Sequence, residues 1–267
     1  MREINFLTWN TQLYEMGNRL SGKQPVKEID NQTFETVINK IKEFLDSKNE
    51  ANEIVEAVAI LQEIPFKCNV TWEDHPLFSK FSESFPAGEY VMLYNISSER
   101  QIKMTVALSK KTLIYKKENE LNNNMCVSFG IKNLDLSIIG VHPHNANELL
   151  KWLQKSGFPD IMLGDFNAGD YKKRYEDSKF KDNRDNYRKL ILEYTDICNG
   201  QKTRRMVFPN GFVYETPIDH VLIKDSSELK KKYQCKIVEI ERNEDNVSDH
   251  YPIYFELSCL DEADKLH

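Results

Sequence analysis

Apolar positions along this chain fall into short runs that stop abruptly at polar residues. Residues 4–9 read as a first strand. Over 33–46, Phe34, Val37, Ile38, Ile41, Phe44 and Leu45 recur at helix spacing, giving one apolar face and a charged back. Residues 57–61 form a buried strand that ends at Gln62-Glu63. Residues 90–94 and 103–108 read as strands of an antiparallel meander. Residues 127–131 and 136–141 are two more strands, the second ending at His142. Residues 146–153 have the spacing of a short helix, and 161–163 is a short buried strand. Residues 218–223 and 253–257 supply the last strands. The polar link over 11–30 is either a substrate-facing loop or a solvated insertion. Residues 172–190 are charged with little apolar periodicity, part helix and part surface loop.

Strands interleaved with helices, together with antiparallel stretches, predict an α/β or α+β sandwich of packed layers. No Gly/Ser-rich or Pro-rich linker divides the chain, so residues 1–260 are expected to form a single domain and 261–267 a polar tail. Both halves run strands, helix and polar strand end, which permits a pseudo-symmetric pair of sheets. The 40% hydrophobic share is enough for a sizeable core. The net charge of -6 argues against a surface coated with basic groups, but leaves room for a local basic groove. The five cysteines are an odd count without CxxC spacing and read as reduced, mostly buried thiols. No signal-peptide core opens the chain, and no apolar run approaches the ~20 residues of a membrane span. These features set the expectation of a cytoplasmic protein with no membrane span.

The polar strand ends carry the chemistry. Gly164-Asp165-Phe166-Asn167 follows a buried strand, and two-residue spacing puts Asp165 and Asn167 on one side of it. Other runs end at Asn10, Glu63, His142, Asp219 and Asp249-His250. A carboxylate such as Glu63 at a buried strand end is costly unless paired, protonated or bound to a cation. A hard divalent ion is one answer and an ordinary ion pair the other. Asn10 can hold a phosphate oxygen or a metal-bound water, or can serve a turn. Asp249 and His250, adjacent on an extended chain, would point to opposite sides, one toward a metal and one toward substrate. Asp219 invites an imidazole partner, or else faces water at an edge. His142 ends its strand, whereas His144 lies in the loop and is expected to be peripheral. Many Asp and Asn with no Cys pair favour hard oxygen coordination over zinc.

Taken in order, Thr8-Trp9-Asn10, Leu61-Gln62-Glu63, Gly140-Val141-His142, Gly164-Asp165-Phe166-Asn167, Ile218-Asp219-His220 and Ser248-Asp249-His250-Tyr251-Pro252 resemble the endonuclease/exonuclease/phosphatase superfamily. The resemblance spans residues 4–257. It implies a four-layer α/β sandwich, with two central, mostly antiparallel sheets flanked by helices. It implies metal-dependent hydrolysis of phosphate esters with Mg²⁺, or Mn²⁺ as the alternative ion. By the same resemblance, Glu63, Asn10 and Asp249 are the metal ligands. Asp165 orients the attacking water, Asn167 holds the phosphate, and His142 and His250 meet phosphate oxygens or the leaving group. Asp219 pairs with His250, and Glu89, ahead of the strand at 90–94, is the matching partner for His142. Three departures bear on the branch. Abasic-site endonucleases carry an Asp where this chain has Gln12, which argues against a second metal. They carry a Tyr where it has His142. Pancreatic-type deoxyribonucleases place a basic residue two after the metal Glu, where this chain has Pro65.

For substrate, residues 172–205 hold Lys172, Lys173, Arg174, Lys179, Lys181, Arg184, Arg188, Lys189, Lys202, Arg204 and Arg205. Arg204 and Arg205 with Phe208 and Phe212 could hold phosphate and stack a base. The stretch reads equally well as a solvated charged surface, because acidic residues are interspersed. The leading expectation is a nuclease or phosphodiesterase acting on nucleic acid. The alternatives are a phosphatase for a small phosphorylated molecule or phosphoinositide, and a binding protein that kept the fold.

Overall fold

The computed structural model describes residues 2–14, 31–48, 55–68, 71–97, 101–110, 113–117, 123–169, 178–207, 209–242 and 247–260. Two six-stranded sheets form its centre. One runs, edge to edge, β13 (Tyr233–Ile240), β14 (Ile253–Cys259), β1 (Arg2–Asn10), β2 (Ala57–Pro65), β4 (Lys103–Lys110) and β3 (Tyr90–Leu93). The other runs β5 (Ile114–Lys116), β6 (Cys126–Ile131), β7 (Ile138–Val141), β8 (Ile161–Asp165), β12 (Asp219–Lys224) and β9 (Tyr194–Asp196). The central pair of each sheet, β1–β2 and β7–β8, is parallel. Their other neighbours are antiparallel. The order of pairings is therefore the same across both sheets, which is the pseudo-symmetry the sequence permitted. A separate hairpin joins β10 (Arg204–Val207) to β11 (Val213–Thr216).

Helices α1 (Asn31–Leu45) and α2 (Pro76–Ser84) cover the outer face of the first sheet. Helices α3 (Ala146–Ser156) and α4 (Ser178–Leu190) cover the second, and a short α5 (Ser227–Lys232) leads into β13. The result is an α/β/β/α sandwich. α1 buries the predicted face, Phe34, Val37, Ile38, Ile41 and Leu45. α3 starts where the Asn145 side chain accepts from the Glu148 N–H, and ends at Gly157 with φ 85°.

Side-chain alternation sorts each strand between two cores. On β1, Ile4 and Phe6 enter the layer between the sheets, while Leu7 and Trp9 face α1. Phe6 stacks on Phe255 of β14 at 4.6 Å. Each such ring or branched chain, fully removed from water, contributes about 1.5–3 kcal/mol. The same alternation sends Asn10, Asp165 and Asp219 to the inter-sheet side, because Phe6, Leu163 and Val221 already lie there. Gly140 of β7 also faces inward; a Cβ there would lie 2.4 Å from Ile60 Cγ2 on the opposite sheet. The next inward position is His142.

Several elements were not foreseen, among them the short β5, β9 and α5. β13 alternates half-buried and exposed residues, with Tyr233, Cys235 and Ile237 packed on the core. This period-two signal is readable but weakened by charges. α2 and the β10–β11 hairpin carry too few apolar residues to announce themselves. Among the described residues, no helix is long and apolar enough to cross a membrane. Most of the link at 11–30, Lys172, Lys173, Arg174, Phe208 and the tail at 261–267 lie outside the described residues.

Candidate active site

The topology gathers the polar strand ends at one edge of the inter-sheet layer. β1 and β2 run parallel and both end there, as do β7 and β8. β12 is antiparallel to β8, so Asp219 at its start pairs with Asp165 at the end of β8. β14 is antiparallel to β1, so the segment just ahead of Ile253 returns beside Asn10. Ser248 Oγ donates to the Asn10 carbonyl at 2.7 Å, and the Trp9 indole donates to the His250 carbonyl at 3.1 Å.

Glu63 reaches this edge against the alternation of its own strand. Ala57, Ala59 and Leu61 face the helices, so an unbroken β2 would send Glu63 the same way. The register slips between Leu61 and Ile64, Glu63 has φ 58°, and Ile64 takes over the helix-facing side. A bulge thus turns the carboxylate into the layer between the sheets. Gln12 (φ 51°) and Asn167 (φ 49°) are also in the left-handed region. Backbone held there by non-glycine residues is stored strain and clusters at functional sites. Gly164, φ 136°, lets β8 pass Val141; a Cβ would lie 2.1 Å from the Val141 oxygen.

At the centre is Asp165, 1% exposed. Its Oδ2 accepts from the Asn10 amide at 2.9 Å and lies 3.4 Å from His142 Nε2 and 3.7 Å from His250 Nε2. Its Oδ1 accepts from the Asn167 N–H at 2.8 Å. Burial alone would raise its pKa, but His250, His142 and the Asn167 N–H outweigh burial and hold the carboxyl well below the usual carboxylate range. His250 Nδ1 contacts both Asp219 oxygens, at 2.9 and 3.0 Å. Burial disfavours its charge, yet Asp219, Asp165 and Asp249 lift the imidazole to about 9. Asp219 is itself pushed up by burial and by Asp165, against the pull of His250. The site therefore sets a readily protonated imidazole between the carboxyl groups of Asp219 and Asp165.

Asp249 and His250 do not diverge as an extended chain would make them. Residues 247–249 form a bend, and both side chains reach the site, His250 Nε2 lying 3.4 Å from Asp249 Oδ1. Glu63 extends these contacts, its Oε1 lying 3.5 Å from His142 Nε2. Among the described residues, Glu63 Oε2 and Asp249 Oδ1 are buried without a hydrogen-bond partner. Orphaned hard oxygens on two carboxylates suit a divalent cation with oxygen ligands. Asp165, Asp219 and His250 also cluster closely enough to hold an ion, with Asp219 hydrogen-bonded to His250 Nδ1 and Asp165 3.7 Å from its Nε2.

Asn10 and Asn167 are in place, though partly spent. Asn10 Oδ1 accepts from the Gln12 N–H, and the Asn167 amide donates to the Pro143 carbonyl at 3.0 Å. Arg204 is engaged rather than open: its Nε and Nη2 both lie 2.8 Å from Asp249 Oδ2. Arg205, next along the strand, turns to the other face opposite Glu215. His144 is exposed, as expected. Glu89 is a correction. It is exposed, and β3 pairs Tyr90 with Lys110, at the end of β4 away from Lys103 and Glu63. The antiparallel direction of β3 puts its start at the far end of the sheet, so His142 meets Glu63 and Asp165 instead.

Sequence reasoning missed several supports. Thr203 Oγ1 accepts from the Ile218 and Asp219 N–H groups, at 3.1 and 2.9 Å, fixing the start of β12. Gln12 Oε1 accepts from the Asp249 N–H at 3.1 Å. Lys103 Nζ lies 2.6 Å from Glu63 Oε1. Their signals are three-dimensional. Nothing local to a lone Thr, Gln or Lys reveals them.

The Asp219–His250 pair yields a direct test. In Asp219→Asn the strongest source of the raised imidazole pKa is gone, while Asp165 and Asp249 remain. The His250 titration near 9 is expected to fall by ~1–3 pH units, read by NMR of the imidazole. An unchanged titration would contradict the pairing.

The architecture has known counterparts. D. rerio TDP2 in complex with a single-strand DNA product superposes with TM-score 0.58 at 14% identity, over 97% of this chain and 100% of that one. An AP endonuclease from Archaeoglobus fulgidus gives 0.58 at 15% identity, over 96% and 98%. An endonuclease/exonuclease/phosphatase family protein from Bacteroides thetaiotaomicron gives 0.53 at 11%, over 96% and 97%. The chain has the endonuclease/exonuclease/phosphatase fold. No family model and no curated protein sequence matches it.

Proposed function

We propose that this protein is a divalent-metal-dependent hydrolase of phosphate esters, and that its substrate is nucleic acid. The observation that carries the reading is the chain of contacts Glu63–His142–Asp165–His250–Asp249, with a buried oxygen unpartnered among the described residues at each carboxylate end. A binding protein has no use for two buried carboxylate oxygens that find no hydrogen-bond partner among the described residues. Glu63 and Asp249 would hold the metal, with Asn10 beside them. A bound Mg²⁺ or Mn²⁺ would neutralise phosphate charge and polarise the ester.

The chain's own residues supply the rest. Asp165 stays ionised and accepts a hydrogen bond from the attacking water, orienting it toward phosphorus. Asn10 and the Asn167 N–H fix both of its oxygens, so the acceptor does not reorient during attack. His250, charged and held at Nδ1 by Asp219, presents Nε2 as a donor to the charge growing on the phosphoryl oxygens. His142 brings a second imidazole nitrogen to the same space.

For a polymeric substrate, the β10–β11 hairpin is the supporting feature. Its root touches the site through Arg204 and Asp249, and its outer part exposes Val207, Phe212 and Val213. Apolar groups held out beside a phosphate-processing site suit stacking on unpaired bases. TDP2, with the same fold, is known with a single-strand DNA product. The test is a Mg²⁺-dependent panel of single- and double-stranded DNA, RNA, abasic DNA, nucleotides and phosphoinositides. Hydrolysis of nucleic acid that weakens steeply with salt is expected. Turnover of only the small phosphorylated compounds would replace the nuclease reading with the phosphatase one.

A further inference from the structure

Lys103 is not absorbed by the chemistry above. It sits on β4 directly opposite Pro65, across the bulge that turns Glu63 inward. Its ammonium lies 2.6 Å from Glu63 Oε1, with side-chain exposures of only 20% and 9% for the pair. The strand is pinned here, since Asn124 donates to the Lys103 carbonyl at 2.7 Å. Tyr14 flanks the ammonium, its ring centre 5.4 Å away. Lys103 engages one oxygen of the carboxylate, and the other, Oε2, has no hydrogen-bond partner among the described residues.

We propose that Lys103 is the resident cation of this site: its ammonium opposes divalent-metal binding at Glu63, and binds the substrate's phosphate once metal is present. The inference rests on the reading of Glu63 as a metal ligand. Its physics is simple. A divalent ion on Oε2 would sit within a few ångströms of a partly buried ammonium on Oε1, and like charges at that range in a poorly solvated site repel strongly. Without metal, the same ammonium keeps a buried carboxylate paired, which a lone Glu63 would not be. Arrival of metal weakens the hold of Glu63 on Lys103, and the freed donor faces the space where a phosphate oxygen would lie. Pro65 leaves the strand of Glu63 without a basic residue at that point, and β4 provides one from across the ladder.

The sign of one measurement separates this role from a merely structural one. A strut that orients Glu63 would, on removal, loosen metal binding. A competing cation would, on removal, tighten it. Lys103→Met keeps the aliphatic stem and loses the charge, while Lys103→Arg keeps a charge. Mn²⁺ binding to substrate-free protein is read by electron paramagnetic resonance, with circular dichroism as the fold check. Lys103→Met is expected to bind Mn²⁺ about tenfold more tightly, with Lys103→Arg near wild type. The KM for a DNA oligonucleotide should rise about tenfold in Lys103→Met, as one charged hydrogen bond to phosphate is lost. Lys103→Gln stands in if Lys103→Met does not fold. Unchanged or weaker Mn²⁺ binding in the folded, uncharged variant overturns the proposal. Glu63→Gln separates the two levels. If it leaves Mn²⁺ binding intact, the metal reading of Glu63 fails; if it abolishes binding while Lys103→Met does not tighten it, the role of Lys103 alone fails.

Discussion

Asp165→Asn is expected to lower the turnover number on the true substrate about a thousandfold while leaving a folded protein. General-base assistance contributes ~10²–10⁴, and a misplaced electrostatic partner a similar factor. The substitution strikes both. The amide cannot accept a proton, and it takes the negative charge from between two imidazoles, His142 at 3.4 Å and His250 at 3.7 Å. Its size is unchanged, and its one oxygen can still accept from the Asn167 N–H, while its amide nitrogen then faces the Asn10 amide donor. The contacts that lower the Asp165 pKa outweigh its burial, so losing the charge also costs stability, by about 1–3 kcal/mol. Steady-state rates at saturating metal and a thermal melt decide the matter. A variant that keeps even a tenth of wild-type turnover would remove Asp165 from the centre of the reaction.

Much of this site was legible in the sequence, because strand ends are local events. Ile161-Met162-Leu163 followed by Gly164-Asp165 says where a buried strand stops, whereas Asn167, with φ 49°, lies past the end of β8 and outside its two-residue period. The order of six such ends was enough to name the fold, which the solved structures then matched at 11–15% identity. What stayed hidden depended on register. Counting by twos puts Glu63 among the helix-facing residues, and only the bulge at Leu61/Ile64 brings it inside. Glu89 failed for the opposite reason: the strand after it was foreseen, but its direction relative to Glu63 was not. Asp249 and His250 were expected to diverge, yet a bend lets both enter. Arg204 reads equally well as a phosphate contact or as solvated charge, and β10 instead brings it alongside His250, where it pairs with Asp249. A sequence lists charges without their distances, and ion pairs across 45 residues follow from topology alone.

The second large effect lies one residue from Asp219, on the other face of β12. Alternation turns His220 away from the inter-sheet layer and under α4, where its Nδ1 lies 3.0 Å from Asp196 Oδ2 and its Nε2 2.8 Å from the Ala168 carbonyl. The Tyr187 hydroxyl donates to the same Asp196 oxygen at 2.7 Å, and its ring stacks on the imidazole at 4.4 Å. Two acceptors on the two ring nitrogens call for the doubly protonated form. Burial opposes that charge, but Asp196, the Ala168 carbonyl and the field of Asp219 raise the pKa. Asp196 is lowered, burial being outweighed by His220 and Tyr187. The signs then fix the pH dependence. A raised His220 contributes stability that is complete below its unfolded pKa, about 6.5, and is lost as pH rises through the folded value. A lowered Asp196 contributes stability present above about 3.9 and lost as pH falls through its folded value. Their joint contribution peaks between those limits. His220→Ala leaves Asp196 buried and without its cation, so it should cost about 3–5 kcal/mol near pH 6 and less as the solution becomes alkaline. His250 also loses stability on the alkaline side, so the comparison must be wild type minus variant at each pH, by urea unfolding. A difference independent of pH between 6 and 10 would show that His220 is neutral in the fold. The loop it holds through Ala168 follows Asn167 directly, so the same variant should lose activity even where it remains folded. β12 thus serves the site from both faces, with Asp219 orienting the charged imidazole inside and His220 bracing, from outside, the loop that carries Asn167.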